Sequence, residues 1–311
     1  MLGKETFIAY KQEDNYSMTW SGTHSQFAYP LPGSRPSTNV NMRRKEFISS
    51  TRSNPDNFLQ ESVRSVSGGY SFHYSSNLFP LLALAVNLNE NYGTTLTLDD
   101  SPTIKSINVL EVFSPNKMVN FSGMCISDST INISSLESIV GFNVNFIGVK
   151  EEPNTFSGNL PNYHINPHLT PLPYNILYPS YLSTLKIENE LLPFQSFSLT
   201  INNNILEGEF LSDTGMNVIK PKVGIREITG NYTMKFDTIG DMNFFDVKIR
   251  NSVDEELVLT LKDENNENPL IFTMNKVQYN TGSQGSINLG ELTLNVSFVA
   301  TGTSELAITT T

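Results

Sequence analysis

The chain has 311 residues, with 20 Lys+Arg against 31 Asp+Glu, and so a formal net charge of −11. That acidic balance excludes a protein that coats nucleic acid, because gripping phosphates takes a net basic surface. The single cysteine, Cys125, excludes an intrachain disulfide framework and a cysteine-cluster metal site.

Four His supply little for catalysis, while a hydrophobic content of 38% is enough to fill cores. The composition therefore points to a folded, non-enzymatic protein that works by its shape. The length suits two domains of about 150 residues better than one core. Met1 to Thr6 lacks the apolar centre of a signal peptide, so Sec export is not expected. The longest apolar run, residues 78–86, is too short to cross a bilayer, so no membrane insertion is expected.

In chain order, the first marked feature is a polar, basic stretch over residues 39–57 that contains Arg43, Arg44, Lys45 and Arg52. A strand follows at Val66-Ser67-Gly68-Gly69-Tyr70-Ser71-Phe72. It leads into a helix over residues 78–86, with Asn77 as N-cap and Pro80 in the first turn. Alternation of period two then marks strands at residues 121–126 and 142–146, each expected to have one wet face. Six of the 16 prolines fall between Pro153 and Pro179, which reads as an extended linker. Beyond it come a strand at residues 228–236, a second short helix at residues 242–249 and a closing strand through Leu292, Leu294, Val296 and Phe298.

The chain resembles itself. Val66 to Tyr74 aligns with Ile228 to Phe236, 162 residues on, and Asn143 to Ile147 aligns with Asn295 to Val299, 152 residues on. Both offsets lie near half the chain length, and the order strand, helix, final strand recurs. The expected organisation is a first module over 1–152, a Pro-rich linker over 153–181 and a second module over 182–311. Residues 1–64 carry eight basic and six acidic side chains, whereas residues 65–311 carry 12 and 25. The loop matching the basic stretch holds Glu207, Glu209 and Asp213. Opposite signs on equivalent loops suit a head-to-tail contact between copies, or mark two unrelated solvated loops.

No catalytic constellation emerges. His164 and His168 have the helical spacing of zinc ligands, but the surrounding prolines forbid the helix. Cys125 reads as a small core residue. Asp99-Asp100 and Asp254-Glu255-Glu256 read as turn and surface acids, and Gly282-Ser283-Gln284-Gly285-Ser286 as a hairpin loop. Tyr16 and Trp20 could form a sugar platform, although packing is the commoner use of a lone Trp.

Taken in order, these features resemble the two-module tail tube proteins (major tail proteins) of tailed bacteriophages. The opening Thr6-Phe7-Ile8-Ala9-Tyr10-Lys11-Gln12-Glu13 is similar to the family's first strand and acidic turn. The stretch over residues 40–57 takes the place of its long loop. Residues 66–72 followed by 78–82 are similar to its strand-then-helix signature, and residues 287–298 to its final strand.

The resemblance implies a mainly β chain of two tandem β-sandwich or barrel modules, each with a short flanking helix. It implies homotrimeric, pseudo-hexameric rings that stack into a tube carrying DNA in its lumen without specific binding, and no cofactor. The implied partners are further copies of the chain together with tape measure, tail terminator and baseplate or tail-tip proteins. The implied location is the virion, after synthesis in the host cytoplasm. Arg43, Arg44, Lys45 and Arg52 are expected to face a neighbouring ring. The alternative from another class is a non-polymerising β-sandwich adhesin or carbohydrate-binding protein, which predicts an exposed aromatic cluster.

Overall fold

The computed structural model describes residues 6–14, 16, 26–33, 35–44, 59–86, 94–98, 103–114, 117–135, 138–154, 176–206, 211–212, 215–218, 221–236, 254–284, 292–302 and 305–310. The chain is mainly β. Its first half contains β1 (Phe7–Gln12), β2 (Gln26–Ala28), β3 (Ser37–Arg44), β4 (Leu59–His73), α1 (Phe79–Ala85), β5 (Thr95–Thr97), β6 (Ser106–Ser114), β7 (Lys117–Ile133), β8 (Gly141–Gly148) and β9 (Lys150–Asn154). The second half opens with β10 (Thr184–Ile187), β11 (Glu190–Leu192), β12 (Phe194–Asn202), β13 (Ile205–Leu206), β14 (Leu211–Ser212), β15 (Gly215–Val218) and β16 (Lys222–Val223). It closes with β17 (Glu227–Phe236), β18 (Glu255–Leu261), β19 (Leu270–Gln284), β20 (Leu292–Ala300) and β21 (Ala307–Thr310).

The ladders of the two halves run in the same order. Over residues 7–154 the order is β1-β6-β7-β8-β4-β3, with β2 on β1 and β9 on β7. Over residues 184–310 it is β10-β18-β19-β20-β17-β12, with β11 on β10 and β21 on β19. The registers correspond as well. Gly68 faces Phe146 and Gly230 faces Phe298; Tyr70 faces Val144 and Tyr232 faces Val296. Even the bulges correspond, with slips between Ile107 and Val109 and between Ile126 and Asp128 in the first half. Their counterparts lie between Glu255 and Leu257 and between Tyr279 and Thr281.

One cluster of buried side chains runs through both halves. Its aromatic pairs repeat with the ladders. Tyr70 and Phe146 have ring centroids 6.2 Å apart, as do the aligned Tyr232 and Phe298. Burying a large apolar side chain contributes about 1.5–3 kcal/mol, so these rings are major contributors to folding. The aligned glycines are needed for different reasons. Gly68 has φ +122, a conformation that favours glycine, whereas a Cβ on Gly230 would lie 2.3 Å from the Phe298 ring and 2.6 Å from the Ser198 carbonyl.

Several local expectations are corrected. Asn77 lies inside a 3₁₀ turn, Ser76–Leu78, and Leu78 takes the N-cap place of α1, because its N–H closes that turn on the Ser75 carbonyl. Pro80 does sit in the first turn, and every residue of α1 is buried. Residues 121–126 have no wet face, since all six are buried. β7 is central in its sheet, with β6 and β9 along the edges of its first part and β8 and β12 along those of its second, and α1 packs against it. Gly282-Ser283-Gln284 continue β19 against Val296, Asn295 and Leu294 instead of forming a hairpin loop. Residues 242–249, read as a helix, lie outside the described residues, as do residues 155–175, which contain His164 and His168.

A two-residue hairpin joins β10 to β11. Glu188 and Asn189 have φ of 48° and 68°, as a type I′ turn requires at both central positions. Glu188 has a reason to accept that conformation: its N–H donates to the Glu256 carbonyl at 3.1 Å, and its side chain accepts from the Glu256 N–H at 2.9 Å.

Candidate self-assembly surface

Sheet edges and junctions are where a mainly β chain can meet further strands. The strongest junction joins the two halves. β12 pairs antiparallel with the second part of β7, from Phe197 opposite Ile133 to Asn202 opposite Asp128. Midway along it the hydroxyls of Thr130 and Thr200 lie 3.1 Å apart, a cross-strand polar pair. β21 pairs with β5, β15 meets β4 in parallel at Asn217 and Arg64, and the aromatic rings of Tyr74 and Tyr178 meet edge to face at 5.1 Å. Tyr178 donates to the Asn268 carbonyl, and burial followed by the Asp263 charge pushes its phenol up to about 12.

Asn203 locks the junction. Its side-chain amide donates to the Ala85 and Ile126 carbonyls, both at 3.0 Å, and its oxygen accepts from Arg226 Nε at 3.1 Å. Its own N–H donates to the Ser127 carbonyl at 2.8 Å. Ala85 ends α1, where backbone carbonyls have no helical partner, so one buried amide caps the helix and ties it to β7 and β12.

A second polar cluster stands at the β3 edge. Arg35 Nε lies 3.1 Å from the buried Glu111 carboxylate and Nη2 3.6 Å from Glu151. The guanidinium also covers the Phe113 and Phe121 rings, at 5.3 and 5.9 Å from their centroids. Burial pushes the Glu111 carboxyl above its ordinary value; Arg35 pulls it back and Glu151 adds to the rise. Glu151 Oε2 also accepts from the Thr38 N–H at 3.1 Å and from the Thr38 hydroxyl. The carboxylate thereby covers part of the outer edge of β3. No strand pairs with that edge among the described residues.

Of the four basic residues expected to make contacts, Arg43 and Arg44 end β3 opposite Gln60 and Leu59. Lys45 and Arg52 lie outside the described residues, as do Glu207, Glu209 and Asp213. Sequence reasoning missed Arg35, Glu111, Glu151 and Asn203. Only Glu111 left a signal, as a carboxylate inside the apolar run Val109-Leu110-Glu111-Val112. Glu255 corrects the reading of residues 254–256 as surface acids. It is buried on the inward face of β18, where the Tyr279 hydroxyl donates to it at 3.1 Å.

Cys125 is buried, with its thiol directed at the Gly123 carbonyl at 3.9 Å. Among the described residues no group of His, Cys, Asp or Glu could hold a metal ion, and no helix is long and apolar enough to cross a membrane. Among the described residues the exposed large hydrophobics are Tyr181, Leu191 and Ile225, which include one aromatic ring and so form no aromatic cluster.

A family model described as phage tail tube protein matches residues 3–300. A comparison with curated proteins finds no match. The chain belongs to the phage tail tube family, whose members are structural components of the virion tail.

Proposed function

We propose that this member of the phage tail tube family polymerises as stacked rings into the tube through which phage DNA is delivered to the host. One observation carries the reading: a single pairing order, with its registers and bulges, occurs in residues 7–154 and again in residues 184–310. On this reading the modules are 1–152 and 182–311, joined by the Pro-rich segment 153–181. Three chains then supply the six module positions of a pseudo-hexameric ring.

The β7–β12 junction supports side-by-side modules, since pairing around a ring covers sheet edges that would otherwise invite aggregation. A net charge of −11 suits a wall that repels phosphates, so DNA slides past it without specific binding. Arg43, Arg44, Lys45 and Arg52 face the next ring. The tape measure, tail terminator and baseplate or tail-tip proteins are the other partners, and synthesis is in the host cytoplasm. No reaction, cofactor or membrane insertion forms part of this role.

Negative-stain microscopy of purified protein tests the proposal. Stacked rings with a central hole are expected. Compact single chains under every assembly condition would overturn it.

A further inference from the structure

The two halves share every main ladder, yet the longest pairing between them has no internal counterpart. β12 pairs with β7, but the strand aligned with β12 is β3, and the strand aligned with β7 is β19. Among the described residues β3 and β19 do not pair. Among the described residues each instead keeps an edge without a strand partner: the side of β3 away from β4 at Ser37–Asn39, and the side of β19 away from β20 at Thr281–Gln284. We propose that β3 of one copy pairs antiparallel with β19 of a second copy, in the register that β12 and β7 use within the chain. The inference rests on the ring reading above and gives it a specific contact.

The register follows from shared partners. Thr38 faces Val66 as Ile201 faces Ile228, and Gly282 faces Val296 as Ser129 faces Val144. Ile201 faces Ser129 within the chain, so Thr38 faces Gly282 between chains. By the same steps Ser37 faces Ser283 and Asn39 faces Thr281. The chemistry carries over at the position where the internal junction places Thr200 against Thr130, since the aligned residues between copies are Ser37 and Ser283. A one-residue slip would turn every side chain to the opposite face, so the matched bulges that hold both edges in phase also select this register.

Glu151 acts as the guard of the unassembled edge. Its carboxylate accepts the Thr38 N–H, a backbone donor that an incoming strand would otherwise find bare. Pairing with β19 replaces that side-chain acceptor by a main-chain one.

Paired cysteines test the register. Assembled Ser37→Cys/Ser283→Cys protein should give, on mild oxidation, a ladder of covalent multimers. Each single variant and the slipped pair Ser37→Cys/Thr281→Cys should stay at least tenfold less crosslinked. Gly282→Pro, which removes an edge N–H, should abolish rings while leaving the β circular dichroism of the single chain unchanged. Rings that form without the crosslink, an equally crosslinked slipped pair, or normal rings from Gly282→Pro would overturn this contact and leave the ring reading standing. Wild-type chains that never associate would overturn both.

Discussion

Asn203→Ala should be among the most destabilising single changes outside the aromatic core. The side chain is 1% exposed and donates to two backbone carbonyls, Ala85 and Ile126, each at 3.0 Å. Alanine leaves both acceptors in place with no room for bulk water. An unsatisfied buried polar group costs about 1–3 kcal/mol, and two such groups partly relaxed by local movement give about 2–4 kcal/mol. Arg226 adds little, because it is half-buried and regains water when Asn203 Oδ1 is lost. Asn203→Asp should cost more still, since it aims a carboxylate at two carbonyl oxygens. The assay is urea unfolding, in which the midpoint should fall while the m-value holds, as expected for a loss of stability without a change in the surface exposed. A midpoint shift worth less than about 0.5 kcal/mol, the usual range for an unimportant surface site, would refute the lock.

Other outcomes follow from the same structure. Glu111 has a folded-state carboxyl pKa above its ordinary value, chiefly through burial. Its contribution to stability is therefore full below the unfolded value of 4.5 and is lost as pH rises through the folded one. Glu111→Gln should gain on wild type over that window in denaturant titrations run at several pH values, and a pH-independent difference would contradict the assignment. Gly230→Ala drives a Cβ into the Phe298 ring and the Ser198 carbonyl and should cost about 1–3 kcal/mol. Gly141→Ala meets nothing nearer than 3.5 Å and should be neutral in the same thermal melts; equal shifts for the two would show that the contact does not matter. Reversing Arg43, Arg44 and Lys45 to glutamate should stop tube growth at the first rings while the single chain stays folded. Tubes of normal length would remove the inter-ring role of the basic segment.

Strand chemistry was legible wherever one face is wet. Phe142, Val144 and Phe146 are buried while Asn145 is exposed between them, and Leu294, Val296 and Phe298 repeat the pattern around Asn295. The rule failed at β7, where both faces are buried and polar Ser122 is as buried as its neighbours. The end of β19 was misread because Gly282-Ser283-Gln284 has turn composition, and only pairing with β20 keeps it extended. The polar clusters were illegible for a different reason. Arg35 and Glu151 are more than a hundred residues apart, and Asn203 reaches a helix end far upstream; no local pattern encodes such a meeting. Glu111 alone announced itself, because an acid within an apolar run must find a partner or titrate.

Edges explain why the bulges matter more than the hydrophobic pattern for this protein. Alternation of period two decides which face of a strand is buried, but it permits slips of two residues, and a closed arrangement of strands tolerates none. A bulge cannot be moved along a ladder without rebuilding it, so each fixes one register outright. One of these lies on the path between the edges in each half: the β7–β8 slip, with its β19–β20 counterpart. An edge carried on such a ladder arrives at its partner strand already in phase. The β12–β7 junction meets that condition within the chain, and β3 and β19 inherit it between chains. Selection for a repeating wall would therefore act on the bulge positions, with the aromatic rings supplying the stability that holds them.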